Sequence, residues 1–341
     1  MNAPIPLRPD VTAVREAALR SLARAAIDAA RSVHDRYAKS AWPDDHVAKL
    51  ITRSAVTQTT LADTQALQQV GLQFVGSLVP VSAAAAVIAS SLKLTFDGNA
   101  QISVPSLALQ HATWLAEGAS IPVTQGLSTP GAVVDPYKAA MIVTLTGEMI
   151  RGSNAEAIVR QALIETAAPT LDLAMFTADA GVPGVMPAGI LNGIAPLPPS
   201  AATSPYDATV ADIAAIATAL APASGAGPPI LIAAPAQFVP LSMNARNPWA
   251  VLMSAALPAG TVIGVIPAAL ATVIEPPRIE ASRGAMLQMD DQPSADPMTG
   301  PMTGPTISLF QTDEVGLRFI LPATWSLRSP SGVAWIEAAN W

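Results

Sequence analysis

Three histidines, His34, His46 and His111, are the side chains in this sequence best suited to proton transfer or metal ligation at neutral pH. They stand far apart, and none belongs to an HExxH helix or a carboxylate–histidine cluster with ligand spacing. His34 falls beside Arg31 and Asp35 on a predicted helix, which reads as a solvated surface residue. His111 has no acid after it until Glu117. No GxSxG elbow exposes a serine. Gly225-Ala226-Gly227 is followed by Pro228-Pro229 and not by a helix start that could cradle phosphate. The acid pair Asp290-Asp291 could hold a hard cation, but between Gln and Pro it reads as a solvated turn. Lys93 and Lys138 are isolated, and with no cysteine both disulfides and thiolate metal sites are excluded. The expectation is a protein without a catalytic residue, cofactor or metal. The alternative from another class, an α/β hydrolase-like enzyme, requires a polar pocket converging on one histidine.

The elements point to an α+β chain. Residues 10–39 predict an amphipathic helix with Val11, Val14, Ala18, Leu22, Ala25, Ala29, Val33 and Tyr37 on its apolar face, packed either on its own domain or between subunits. Trp42-Pro43 ends it, and the Thr- and Gln-rich stretch 54–70 reads as an extended arm. Residues 99–146 have the character of a long hairpin, with Ile102 and Val104 on the outward strand and Met141, Val143 and Leu145 on the return. A two-stranded ribbon of that length needs something to lie on, and a neighbouring subunit is the natural candidate. Ser153-Asn154-Ala155-Glu156 matches a capping box opening a helix to about residue 180, with Ile158, Ala162, Ile164, Ala168, Leu171, Met175 and Ala178 as its stripe and a kink or split at Pro169. Residues 181–205 carry no charge and read as loop. A second helix spans 207–221 with Val210, Ile213, Ile216 and Leu220 inward, and 230–232 and 262–266 read as buried strands. Residues 290–305, with the tandem Pro297-Met298-Thr299-Gly300 and Pro301-Met302-Thr303-Gly304, read as a surface loop. Ile307, Leu309, Leu317, Phe319, Leu321, Val333, Trp335 and Ile336 mark closing strands.

Composition bounds the function further. The 341 residues suffice for one large domain or two ordinary ones. Charged residues make up 13%, against about 25% in an ordinary soluble chain, so much of the surface is expected to be covered by further copies. The 32 prolines and 21 glycines favour turns and irregular segments over a helical bundle. Residues 250–274 lack charge, yet Pro258, Gly260, Gly264 and Pro267 interrupt them, which favours buried strands over a membrane span. The polar, proline-containing start from Met1 to Asp10 does not read as a secretory signal. Residues 1–53 hold nine basic against six acidic side chains, +3, and the remainder nine against nineteen, −10, giving the net −7. So acidic a bulk is poorly suited to gripping phosphates, although it suits a lining that encloses nucleic acid without holding it.

Several short segments, in order, resemble the major capsid proteins of tailed bacteriophages, which share the Hong Kong 97 fold. Trp114-Leu115-Ala116-Glu117-Gly118 resembles the aromatic–Glu–Gly of that family's hairpin, the E-loop. Tyr137-Lys138 and Thr146-Gly147-Glu148-Met149-Ile150 resemble its return strand and the entry to its spine helix. Gly181-Val182-Pro183-Gly184 and Pro187-Ala188-Gly189-Ile190-Leu191 resemble the turn after that helix, and Phe310-Gln311-Thr312-Asp313, Leu317-Arg318 and Trp325-Ser326-Leu327-Arg328 its closing strands. The likeness covers about residues 55–341. Each motif alone is weakly specific, and the family order makes them considerably more so.

The resemblance implies a Hong Kong 97-like α+β subunit with peripheral and axial domains, an E-loop hairpin, a spine helix and an N-terminal arm. Its segments would be 1–53, a basic helical region fit for internal scaffolding; 54–98, arm and start of the peripheral domain; 99–146, hairpin; 147–205, spine helix and following loop; 206–280, axial domain; and 281–341, closing strands of the peripheral domain. It further implies self-assembly into hexamers and pentamers of an icosahedral head, with a portal protein and maturation protease as partners and double-stranded DNA packaged without sequence-specific binding. Such a protein resides in the virion, is assembled in the bacterial cytoplasm and meets no membrane. Trp114, Glu117, Gly118, Lys138 and Glu148 would make assembly contacts. An encapsulin-type nanocompartment subunit is the runner-up. Some members crosslink through a lysine just after the hairpin Glu-Gly, where this sequence has Ile121-Pro122, so a non-covalent shell is expected.

Overall fold

The computed structural model describes residues 9–34, 40–52, 61–96, 101–104, 133–152, 154–244, 247–288 and 306–341. The chain opens with helices α1 (Pro9–His34), α2 (His46–Thr52), α3 (Leu61–Leu78) and α4 (Ala83–Ser90), then short strands β1 (Leu92–Leu94), β2 (Ile102–Ser103) and β3 (Val133–Val134). Strand β4 (Lys138–Thr146) leads through α5 (Gly147–Arg151) to the long helix α6 (Ala155–Met175). Then come α7 (Pro205–Leu220), β5 (Ile230–Ala233), α8 (Pro235–Met243), β6 (Ala250–Met253), β7 (Val262–Val265), β8 (Leu270–Ile274) and β9 (Arg278–Ser282). The chain closes with β10 (Met286–Gln288), β11 (Thr306–Ser308), β12 (Glu314–Leu327) and β13 (Val333–Ile336).

Strand β12 organises the first sheet. Its first half pairs antiparallel with β4 on one side and β9 on the other, and its second half pairs with β8, which carries β1 in parallel. Pro322 has no N–H to give a ladder, and it sits where the β9 pairing ends and the β8 pairing begins. Helices α1, α3 and α6 pack against this sheet and share one core, which includes Leu22, Ile27, Phe74, Leu163, Leu171, Leu317 and Phe319. A second sheet, in the order β13-β7-β5-β6, carries α7 and α8 on one face through Ile216, Leu220, Leu241, Leu231, Ala233 and Val262. Its other face, through Ile232, Ile263 and Val265, joins the first core. The close approach of α7 explains Gly264, because a Cβ there would lie 2.4 Å from Ile216 Cγ2.

Several expectations are met: the strands at 230–232 and 262–266, the helix from about 207, and buried β-structure within the uncharged stretch 250–274. Others are corrected. The arm expected over 54–70 is helical from Leu61, where α3 closes the first core with Val70, Phe74 and Leu78. The first helix is described over Pro9–His34, the rest of its expected span lying outside the described residues, and Val14, expected inward, is 48% exposed, while Leu19, Ala23 and Ile27 are buried beside the expected Ala18, Leu22 and Ala25. Within the region 1–53, the described residues of α1 and α2 contribute to the main core. In the hairpin, Ile102–Ser103 pairs with Val133–Val134, and Lys138–Thr146 pairs with the closing strand. Helix α6 begins one residue late for the capping box, with Asn154 at the N-cap and no side-chain cap bond, and Glu156 accepts a hydrogen bond from Arg24. It passes through Pro169, and its buried line is Val159, Leu163, Ala167, Leu171 and Met175, leaving the expected Ile158 43% exposed. The closing strands divide: β12 completes the first sheet and β13 the second, whereas β8 and β9, from the segment assigned to the axial domain, belong to the first. The loop 290–305 lies outside the described residues, apart from its bracketing by the antiparallel pair β10–β11, which sequence reasoning did not foresee.

Candidate assembly surfaces

Two polar clusters set the positions of the outer elements. The first is Asp172, on the inner face of α6 and 4% exposed. Its carboxylate accepts from Ser82 Oγ and Ser254 Oγ, both at 2.6 Å, and from the Ala84 backbone N–H at 2.9 Å. Ser82 is itself the N-cap of α4, accepting from Ala85 N–H at 3.0 Å. One buried carboxylate thus ties α6 to the positive end of α4 and to the residue following β6 in the second sheet. The second cluster surrounds Arg24 of α1. Its guanidinium donates to Asp45 and to Glu156 of α6, each at 3.2 Å, and lies 5.5 Å from the centre of the Trp42 ring. Arg31 lies against the same indole at 5.6 Å and donates to Ile150 O at 3.1 Å. Partial burial lowers the Arg24 pKa, but the hydrogen bonds to Glu156 and Asp45 outweigh it and the net shift is upward.

The turn after α6 is pinned to the helix end. Ile190 N–H donates to Met175 O at 2.9 Å, and Ile190 and Leu191 are buried. A Cβ on Gly189 would lie 1.9 Å from Thr177 O, so only glycine fits. From the sheets, Trp325 Nε1 donates to Ala188 O and Trp335 Nε1 to Ile194 O, each at 2.9 Å. The C-terminus is held by Trp341 Nε1 donating to the buried Asp212 at 2.6 Å.

Lys138 opens β4 and Glu148 lies in the first turn of α5, just past the strand's other end, and both are exposed. They are not brought together. Trp114, Glu117, Gly118 and Ile121 lie outside the described residues, as do His111 and Asp290-Asp291. His46 is exposed at the first residue of α2, and the side chain of His34 is likewise outside the described set. Among the described residues, no group of three His, Cys, Asp or Glu could hold a metal ion, and no helix is long and apolar enough to cross a membrane. An open trough of about 560 Å³ separates the end of α6 from the second sheet, with Leu173, Phe176, Met186, Leu257 and Trp335 on its walls and Asp179 and Glu337 as its acids. In its wall Thr177 Oγ1 donates to Asp179 at 2.5 Å.

The outer surface suggests contacts between chains. Large apolar side chains stand in solvent on several faces: Ile142 on β4, Leu173 on α6, Val185 in the following turn, Met243 on α8, Met286 on β10 and Phe310. Among the described residues, the far edges of β4 and β6 pair with no strand. Sequence reasoning missed these residues because nothing in the local pattern separates an apolar side chain facing the core from one left uncovered.

No family model matches the chain. It is 32% identical over 254 residues to the capsid polyprotein of Pseudomonas phage PAJU2, a match covering 67% of this chain and 37% of that protein. The chain thus spans just over a third of the length of this curated relative. A structure from Mycobacterium phage Bobi superposes with TM-score 0.51 at 14% identity, covering 92% of this chain and all of the other. A chain in the procapsid of satellite phage P4, a structure that includes the size determination protein Sid, gives TM-score 0.51 at 9% identity, covering 78% and 98%. The two sheets, the long helix and the closing strand β12 thus form a capsid-type fold. The chain has the Hong Kong 97-type capsid fold and, over two thirds of its length, is related to a phage capsid polyprotein.

Proposed function

We propose that this chain is the major capsid protein of a tailed phage, a subunit that self-assembles as hexamers and pentamers of an icosahedral head. The observation that carries this reading is the 32% identity, over two-thirds of the chain, to a phage capsid polyprotein. The uncovered apolar side chains and open strand edges support it as surfaces for neighbouring copies. The first sheet with α1, α3 and α6 serves as the peripheral domain, and the second sheet with α7 and α8 as the axial domain around the symmetry axes. Lys138 and Glu148 contact neighbouring subunits, as do Trp114, Glu117 and Gly118 of the hairpin. The shell is non-covalent, because Ile121 stands where a crosslinking lysine would be. Double-stranded DNA is enclosed by a surface whose acidic excess does not grip it. A portal protein and a maturation protease act with the shell, which is assembled in the bacterial cytoplasm and persists in the virion. Electron microscopy of the purified protein tests the reading: closed shells are expected, and protein that stays monomeric under all assembly conditions overturns it.

A further inference from the structure

We infer that helix α1 is a permanent part of the shell subunit, so that proteolytic trimming of its N-terminal side stops short of Pro9. This rests on the capsid reading and departs from the scaffolding role that the basic composition of residues 1–53 suggested. A transient scaffolding segment must leave behind a subunit that is folded without it. Its contacts with the rest of the chain should therefore be superficial.

The contacts of α1 are of another kind. Leu22, Ala23, Ala25, Ile27 and Ala30 are fully buried and Leu19 nearly so, all but Ala25 on the side chains' tight repeat along one flank. Their partners come from elements distant in the chain: α3, α6, β9 and β12 all pack against α1. Towards its N-terminal end the Arg15 side chain lies against α3 at Gly76, where a Cβ would be 2.8 Å from Arg15 Nε. The polar contacts are equally specific. Arg24 joins Asp45 on one side of the helix to Glu156 of α6, and Arg31 donates to Ile150 O. Asp45 also accepts from Ser21 Oγ at 3.0 Å and from the Ala48 N–H at 3.0 Å, which starts α2. Loss of residues 9–52 would uncover the apolar faces of α3 and α6 and strand Glu156, partly buried, without its guanidinium.

Trimming is hydrolysis of one peptide bond by a protease supplied in trans, water giving a new carboxylate on one side and a new amino terminus on the other. The chemistry can act wherever the chain is accessible. The restriction is on which product remains a folded subunit.

The test is intact-mass spectrometry, under denaturing conditions, of subunits from mature particles purified from phage-producing cells. Every particle is expected to contain residues 9–52. Particles whose subunits begin beyond Pro9, with no fragment carrying the missing residues present, overturn the inference. That result would leave the capsid reading standing, whereas absence of particles would defeat the reading itself. Two full-length variants give a second readout. Leu22→Asp, inside the α1 interface, should abolish recovery of soluble subunit. Arg20→Ala, on the exposed side of the same helix, should leave yield and particle number unchanged. Soluble, assembling Leu22→Asp protein would also overturn the inference.

Discussion

Asp172 offers the sharpest test of how the two sheets are held together. Replacing it with Ala leaves the Ser82 and Ser254 hydroxyls and the Ala83 and Ala84 N–H groups, all in a buried environment, without their acceptor. A buried polar group left unpaired costs about 1–3 kcal/mol. The two hydroxyls can rotate towards other acceptors, while the N–H groups cannot, and relief from burying a carboxylate offsets part of the loss. Asp172→Ala should therefore destabilise the subunit by about 3 kcal/mol. Asp172→Asn differs in an informative way. Oδ1 accepts both the Ser82 hydroxyl and the Ala84 N–H, and Oδ2 takes the Ser254 hydroxyl. With the amide nitrogen in the Oδ2 position, Ser254 Oγ turns from donor to acceptor and the Ser82 and Ala84 bonds to Oδ1 stay, while the long Ala83 N–H bond to Oδ2, at 3.4 Å, is lost. The Asn variant should lose only about 1 kcal/mol, mainly the charge assistance and the interaction with the α4 dipole. Urea unfolding of dissociated subunits, followed by tryptophan fluorescence, reads both values. A near-silent Ala variant, or an Asn variant as damaged as Ala, would refute this account of the junction.

Three further outcomes follow from the same geometry. Gly189→Ala should cost about 1–3 kcal/mol, because its Cβ would meet Thr177 O at 1.9 Å and push the turn off the helix end; thermal unfolding checks this. Trp42→Ala removes the surface against which both Arg24 and Arg31 lie and should cost about 1–3 kcal/mol, with a wild-type urea midpoint as the contrary result. Lys138→Ala and Glu148→Ala should leave subunit stability within about 0.5 kcal/mol while lowering assembly yield, since both side chains are exposed; light scattering of assembling subunits, compared with unfolding curves, separates the two effects. Denaturing gels of purified particles should show a single subunit band, and a ladder of covalent oligomers would contradict the non-covalent shell.

Legibility of the fold in the sequence followed the reach of the interactions involved. The buried strands Ile230–Ala233 and Val262–Val265 and the helix at 205–220 were readable because their apolar runs and flanking prolines are local signals. Helix α3 was hidden, since its Gln- and Thr-rich sequence has weak periodicity and only packing of Val70, Phe74 and Leu78 against the first core fixes it. The capping box at Ser153 was mistaken for the helix start because Glu156 is engaged by Arg24, 132 residues away. Pairing of β4 with β12, and the division of the closing strands between two sheets, depend on long-range register that no local pattern encodes. The capsid likeness was legible through short motifs with structural causes, such as Gly189 beneath Thr177 and Trp325 above Ala188. Asp172 escaped notice, because an acid inside a helix reads as solvent-facing until its partners are seen.

The central claim, that this chain builds a shell, is tested most directly by imaging the purified protein by cryo-electron microscopy under assembly conditions. The account predicts closed icosahedral particles whose capsomers are hexamers and pentamers of the subunit described above. Protein that remains monomeric in every condition, while retaining its cooperative unfolding transition, would contradict it.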